Sequence, residues 1–434
     1  YEGGPMPWLY HKYAGHDTNR DWFMLNLKET RILTKIMYHE WYPTISYAVF
    51  CLKKKNARFF VPPFYDPVNP NVDPLIHQSL LLIGGHMATD LQENQKTGVV
   101  HNAIFDNWWQ GGNRTTPYRH NIVGILTEAA SANVASPKFL DFGDLQTWGR
   151  GFKGHQASVN FAEPWPGGWW RLRDVVDYEL IASKALLTLA ARYRDRFVAN
   201  HLTLSEKALA KGREEPPFAW LVPADQRDPG AAAYMLDILL KSGIDVQRAI
   251  APFQADGRLY PAGSFVLLGE QPYRPHLKDM MERQILPVVS PPNGGAPEAP
   301  YDSAGWTLPV QMGVNSIGVV NAFEAKLEQL SSIEMPQVGP SVSAATRAFV
   351  TRRQGNSDYA AINALLTQGF DVHVVMAEQE DFPVGSVVVS ADDRLDELKA
   401  AIQALTTRLP ARFKAVDVLP KEIRAMRAAR TALY

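Results

Sequence analysis

Ile122-Val123-Gly124-Ile125-Leu126-Thr127-Glu128-Ala129-Ala130-Ser131 reads as an apolar strand over 122–127. It delivers one carboxylate, Glu128, at its C-terminal end and then passes into small residues. A companion strand is predicted over 44–50, with Ile45, Tyr47, Val49 and Phe50 apolar. Upstream, Asn26-Leu27-Lys28-Glu29 has the form of a capping box. Ile32, Leu33, Ile36 and Met37 follow at helical spacing, and Pro43 is the stop. Asp73-Pro74 opens a second helix as N-cap and first residue. A long helix is expected over about 174–200, after Trp165-Pro166-Gly167-Gly168-Trp169-Trp170. Strands alternating with helices place the chain in the α/β class.

The whole chain supports a folded, multi-domain protein. Its 434 residues suggest two to four domains, and 46% hydrophobic against 21% charged residues excludes a disordered chain. Lys+Arg number 44 and Asp+Glu 45, a balance that argues against a nucleic-acid binder. No apolar run approaches the roughly 20 residues of a membrane span. The single cysteine, Cys51, excludes an internal disulfide framework and a Cys-rich zinc site. The ends, Tyr1-Glu2-Gly3-Gly4 and Ala432-Leu433-Tyr434, do not read as domain boundaries. They suit a fragment, a processed chain or part of a longer protein, and this chain itself opens with neither Met nor a signal peptide.

Lys211-Gly212-Arg213-Glu214-Glu215-Pro216-Pro217 reads as a linker, and an internal repeat follows it. The first copy runs from a strand over 218–222 through a helix over 231–241 to Gly243-Ile244-Asp245-Val246 and Pro261-Ala262-Gly263-Ser264. The second runs from 347–351 through 359–367 to Gly369-Phe370-Asp371-Val372 and Pro383-Val384-Gly385-Ser386. Each Gly-x-Asp-Val fits a helix C-cap followed by a new strand.

Few residues stand out for chemistry. Glu128, at a strand end in an α/β sheet, is either a general base or a carboxylate facing solvent or an arginine. Asn19-Arg20 either grips a carboxylate or belongs to a surface loop with an Asp17–Arg20 pair. The 11 histidines show no His-x-x-Glu or His-x-x-x-His spacing and no Cys/His cluster. Lys53-Lys54-Lys55 reads as a solvated loop. Trp108-Trp109 and the Trp165–Trp170 run read as packing residues. Gly84-Gly85 and Gly111-Gly112 lack the context and lysine of a nucleotide loop.

Four stretches carry a family resemblance: Tyr10-His11-Lys12-Tyr13-Ala14-Gly15-His16-Asp17-Thr18-Asn19-Arg20-Asp21-Trp22-Phe23-Met24, Asn56-Ala57-Arg58-Phe59-Phe60-Val61-Pro62-Pro63, Ile125-Leu126-Thr127-Glu128-Ala129-Ala130-Ser131 and Pro164-Trp165-Pro166-Gly167-Gly168-Trp169-Trp170-Arg171. Together they resemble bacterial exported zinc carboxypeptidases of the carboxypeptidase-A-like superfamily. Tyr260-Pro261-Ala262-Gly263-Ser264 and Gln271-Pro272-Tyr273-Arg274-Pro275 resemble their appended α/β domains, of class I glutamine-amidotransferase-like fold. The resemblance implies a peptidase-like mixed-sheet domain over 1–210 without its N-terminal part. Two mutually similar modules follow over 216–335 and 341–434, the second incomplete. It also implies a secreted or periplasmic protein, one zinc ion, Glu128 as general base, and Asn19 and Arg20 as the clamp for a peptide's terminal carboxylate. Self-association is left open.

The chain departs from that pattern at the metal. The His-x-x-Glu zinc pair would precede Asn19-Arg20, and this chain starts too late to contain it. Phe50 stands where the third zinc ligand is expected, so zinc binding by this chain alone is not expected. The family's mobile-loop tyrosine has no clear counterpart: Trp109 is nearest by loop position, and Tyr118 lies closer to Glu128. Two functions follow as expectations, a metallocarboxypeptidase or a non-catalytic peptide-binding or assembly subunit that keeps the fold. Amidotransferase chemistry would need a nucleophilic cysteine in the later modules, and none is there.

Overall fold

The computed structural model describes residues 15–52, 57–132, 136–145, 149–152, 154–287, 296–297, 307–336, 339–340, 342–343, 346–379 and 382–428. Residues 10–14 of the first motif and the Lys53-Lys54-Lys55 run lie outside the described residues. The chain divides into two compact units. The first comprises Tyr1–Ala219, Lys241–Asp245 and Leu268–Thr307; the second comprises Trp220–Leu240, Val246–Leu267 and Leu308–Tyr434. Both mix helices and sheets, so the α/β class holds.

In chain order the first unit contains α1 (Lys28–Lys35), β1 (Ile45–Leu52), β2 (Phe59–Phe60), β3 (Tyr65–Val68) and α2 (Pro74–Glu93). These are followed by β4 (Val99–Val100), β5 (Asp106–Asn107), β6 (Val123–Ala130), β7 (Lys138–Leu140), β8 (Gly168–Trp170), α3 (Leu172–Arg192) and α4 (Arg194–Glu214). Its main sheet has the order β1-β6-β2-β4. Strand β6 is parallel to β1, with Phe50 opposite Glu128, and antiparallel to β2, with Phe60 opposite Glu128. Every residue of β6 is buried.

Three local expectations change. The strand carries on through Ala129 and Ala130, whose small side chains let the ladder continue; the Ala130 amide donates to the Arg58 carbonyl at 2.8 Å. Glu128 therefore sits inside the strand rather than at its tip. The long helix expected over 174–200 is two helices that meet at Tyr193, whose φ of −111° and ψ of 24° are not helical. Lys211 to Glu214 close α4 instead of forming a linker, with Lys211 and Arg213 favourably placed near its C-terminal carbonyls. Asp73 caps α2 as expected, accepting from the Leu75 amide at 2.9 Å.

Two of the quoted motifs meet in one post behind the sheet. The fully buried Arg58 guanidinium lies 4.7 Å from the Trp165 ring centroid and 5.0 Å from that of Trp170. Burial pulls its pKa down to about 10, so it remains a cation at neutral pH, held against aromatic faces. Trp108, Trp109, Trp165 and Trp170 are all core residues.

The second unit contains the repeat. Its first copy is β9 (Ala219–Val222), α5 (Pro229–Lys241), β10 (Gln247–Ala249), the hairpin β11 (Phe253–Ala255) and β12 (Arg258–Tyr260), and β13 (Phe265–Leu268). It continues with α6 (Arg274–Met281), whose residues pack within the first unit, then α7 (Leu308–Met312), β14 (Ile317–Val319) and β15 (Leu327–Gln329). The second copy is β16 (Ala348–Thr351), α8 (Asn356–Thr367), β17 (Asp371–Val375), β18 (Val387–Ser390), α9 (Leu395–Arg408), β19 (Lys414–Val416) and β20 (Ile423–Ala425). The sheet orders, β14-β9-β13-β10-β15 and β19-β16-β18-β17-β20, match strand for strand. Gly243 and Gly369, with φ of +83° and +74°, end equivalent helices.

No helix separates β17 from β18, and they pair antiparallel. β16 is antiparallel to both its neighbours, and β10 to β13 and β15. This is a ferredoxin-like β–α–β–β–α–β unit with one added edge strand. It replaces the amidotransferase-like module that the resemblance implied.

Within the first unit, α6 is anchored by fully buried polar groups. Arg119 Nε donates to Asp279 Oδ2 at 2.7 Å, with both side chains inaccessible. The His120 ring faces two carbonyls, of Thr116 and Ser242, each at 2.9 Å. It stacks on Tyr38 at 3.7 Å and lies 4.4 Å from His276. Burial holds His120 down at about 4, outweighing the two carbonyls, and holds His276 well below the usual histidine range. Both histidines are therefore neutral when folded and take up protons on unfolding. Their stabilising contribution is complete above the unfolded value near 6.5 and is lost as pH falls towards the folded values; for His120 it is roughly 3 kcal/mol. Urea midpoints should fall steeply between about pH 6.5 and 4.5, and H276L should flatten that fall.

Candidate functional site

The site begins with Asp21. Its buried carboxylate accepts from the amides of Asn26 at 2.9 Å and Leu27 at 2.8 Å, from Thr30 Oγ1, and faces His16 Nε2 at 3.0 Å. The Asn26 and Leu27 amides lie just ahead of Lys28, the first helical residue, so Asp21 pins the chain that leads into α1. Leu27, not the expected Asn26, stands at the N-cap of α1, and it makes no side-chain bond there. Asp21 thereby fixes the preceding 3-10 turn, Thr18–Arg20, whose own cap is Asp17 Oδ1 accepting from the Asn19 amide at 2.8 Å.

That turn is tied to a second loop. Asn19 Oδ1 accepts from the Asn113 amide at 3.0 Å, and the Trp22 amide donates to the Gly111 carbonyl at 3.3 Å. Arg20 lies 5.5 Å over the buried Trp109 ring, with Asp17 Oδ2 at 3.9 Å. Phe23 braces Trp109 edge-on at 5.9 Å. The loop rests directly on β6, because Gly124 has no Cβ; one there would lie 2.0 Å from the Arg114 carbonyl. Arg114 is held by the Asp106 carbonyl at 2.6 Å and Asn107 Oδ1 at 3.2 Å, over the Phe64 ring at 4.1 Å. Asp106 Oδ2 meets Arg150 at 3.3 Å.

Asn19, Arg20, Asp106, Trp109, Arg114 and Glu128 thus line one cleft of about 50 Å³, with Phe105, Gly112, Thr115 and Leu126. That volume suits a few waters or one carboxylate group. All three residues singled out from the sequence, Asn19, Arg20 and Glu128, meet there. So does Trp109, whereas Tyr118 is buried away from the cleft lining.

Phe50 is the β1 residue opposite Glu128. Its phenyl ring offers no lone pair, so the position that the resemblance gives to a zinc ligand is filled by a group that cannot coordinate. Among the described residues, no group of three or more His, Cys, Asp or Glu side chains is arranged to hold a metal ion. No helix among them is long and apolar enough to cross a membrane.

Behind the sheet lies a polar group that the sequence reading missed. Tyr47 Oη lies 2.8 Å from Thr127 Oγ1, which donates to Glu179 Oε2 at 2.7 Å; Tyr47 Oη also donates to Glu179 at 3.3 Å. Burial pushes Glu179 up to about 7 and Tyr47 up to about 12. Glu179 sits mid-helix, where its spacing resembles that of any surface glutamate. Only the pairing of β1 with β6 places two hydroxyls beneath it.

No protein-family model, curated protein or solved structure matches the chain.

Removing the Asp21 carboxylate takes the acceptor from the buried Leu27 amide and the buried Thr30 hydroxyl. D21A should cost roughly 3 kcal/mol in urea unfolding, and D21N, which keeps one acceptor, clearly less.

Proposed function

We propose that the cleft binds the free C-terminal carboxylate of a peptide, and that the first unit is a metallocarboxypeptidase-like domain retaining this recognition. The observation that carries the reading is the convergence of Asn19, Arg20 and Glu128, from distant parts of the sequence, on one carboxylate-sized cleft. An arginine stacked on Trp109 and a fixed asparagine offer directional donors to an anion. Glu128, on the opposite strand, is placed to accept a proton or a hydrogen bond from the ligand or from a water beside it.

The donor set does not fit zinc, since Phe50, paired with Glu128, stands where the resemblance expects the third ligand. No step through a metal is therefore derived, and peptide binding without cleavage is the leading reading. Zinc-dependent removal of C-terminal residues is the second reading. It is favoured by the register that sets the third-ligand position against Glu128, and it requires metal ligands from outside the described residues. Secretion or a periplasmic location, and any self-association, belong to the same resemblance.

A peptide with a free C-terminus should bind, and its C-terminal amide should bind at least about tenfold more weakly, as loss of a charge-assisted contact implies. R20A should lower affinity for the acid form by about 10- to 100-fold and leave the amide nearly unchanged. Calorimetric titration of both peptides decides this; equal binding of the two would refute it. Mass spectrometry of the incubated peptide, with zinc added, separates binding from cleavage.

A further inference from the structure

We infer that Glu179, on the face of the sheet behind the cleft, positions Glu128 and makes ligand binding in the cleft respond to pH. The inference rests on the reading that Glu128 works in the cleft.

Thr127 and Glu128 are consecutive on β6, so their side chains leave opposite faces of the sheet. The Thr127 hydroxyl is the knot of the rear face. It joins Tyr47 of β1 at 2.8 Å to Glu179 of α3 at 2.7 Å. Three elements are thus tied at the residue that precedes Glu128. The groups facing Glu179 are few: Tyr47 from β1 and Thr127 from β6, with Ser183 a turn further along α3 bonding Tyr47. Its second oxygen, Oε1, is buried without a hydrogen-bond partner among the described residues. No lysine, arginine or histidine among them pairs with it. A carboxylate so placed is poorly compensated when ionised. Burial brings its titration to about 7.

The two protonation states differ in direction as well as charge. Ionised Glu179 accepts from both Thr127 and Tyr47, whose hydroxyls also lie 2.8 Å apart. Protonated Glu179 can donate to Thr127, and the Thr127 hydroxyl then turns to Tyr47. No covalent bond changes; one proton enters from solvent and the chain of hydroxyls reverses. The negative charge also appears one strand's thickness from Glu128 and an anionic ligand, where like charges repel. Binding of an anionic ligand therefore weakens as pH rises through the titration of Glu179. A glutamate that merely held α3 on the sheet would not produce this dependence.

The test uses the full chain and N-acetyl-glycyl-phenylalanine, with Trp109 emission as one readout and calorimetry as another. Wild-type affinity should fall about tenfold between about pH 6 and 8, a change equivalent to a coupling of one pH unit. E179Q should bind at pH 8 as the wild type does at pH 6, with a flat profile. T127V, which removes the hydrogen bond that helps Glu179 ionise, should shift the fall in affinity to higher pH. A folded E179Q with the wild-type pH profile overturns the inference. If the wild type binds no probe at any pH, the carboxylate reading itself fails. The inference is then decided by NMR: the Glu128 amide should titrate near pH 7 in the wild type and not in E179Q, and an unmoved amide overturns it.

Discussion

Strand β6 is buried along its whole length, and the rest of the first unit follows from that constraint. A strand without solvent must have its amides and carbonyls paired on both edges and both faces covered. β1 and β2 supply the edges, and their registers set Phe50 and Phe60 on either side of Glu128. One face is closed over Thr127 by Tyr47 and Glu179. The other is closed by the loop that carries Trp109 and Arg114, and it approaches closely because Gly124 leaves room. A carboxylate on such a strand can point only into what its covering loops leave open, which here is the cleft.

The cleft's other wall depends on a different economy of hydrogen bonds. Asp21 accepts from the amides that lead into α1, and in doing so it fixes the turn that presents Asn19 and Arg20. The helix start and the turn that carries Asn19 and Arg20 are one structure. Further along, Arg119 and His120, in the helical turn that precedes β6, are held by the buried partners Asp279 and the Ser242 carbonyl. The loop of the cleft thus runs between two polar anchors, Asn19 at one end and Arg119 at the other.

Much of this was legible in the residues. Apolar runs located β1 and β6, Asp73-Pro74 located the start of α2, and the paired Gly-x-Asp-Val signals revealed the repeat. Glu128 and Asn19-Arg20 were each ambiguous alone, because a carboxylate or an arginine serves structure as readily as chemistry. What failed was information that lies outside any local window. The carboxylate that holds the chain leading into α1 is Asp21, beyond the span of a capping box. The strand ran through Ala129 and Ala130 because β2 was there to pair with it. The modules proved antiparallel because strand direction depends on which strands become neighbours.

The amino-acid sequence by itself determined the α/β class, the repeat, and the kinds of group available for chemistry. These depend on local periodicity, turn residues and side-chain identity, all carried by neighbouring residues. Only the tertiary structure decided that Asn19, Arg20 and Glu128 share one cleft, that Phe50 stands beside Glu128, and that Glu179 lies behind it. Those relations depend on strand register and on helix packing across the sheet. Register is set by the combined burial of two faces and two edges, which no single segment contains.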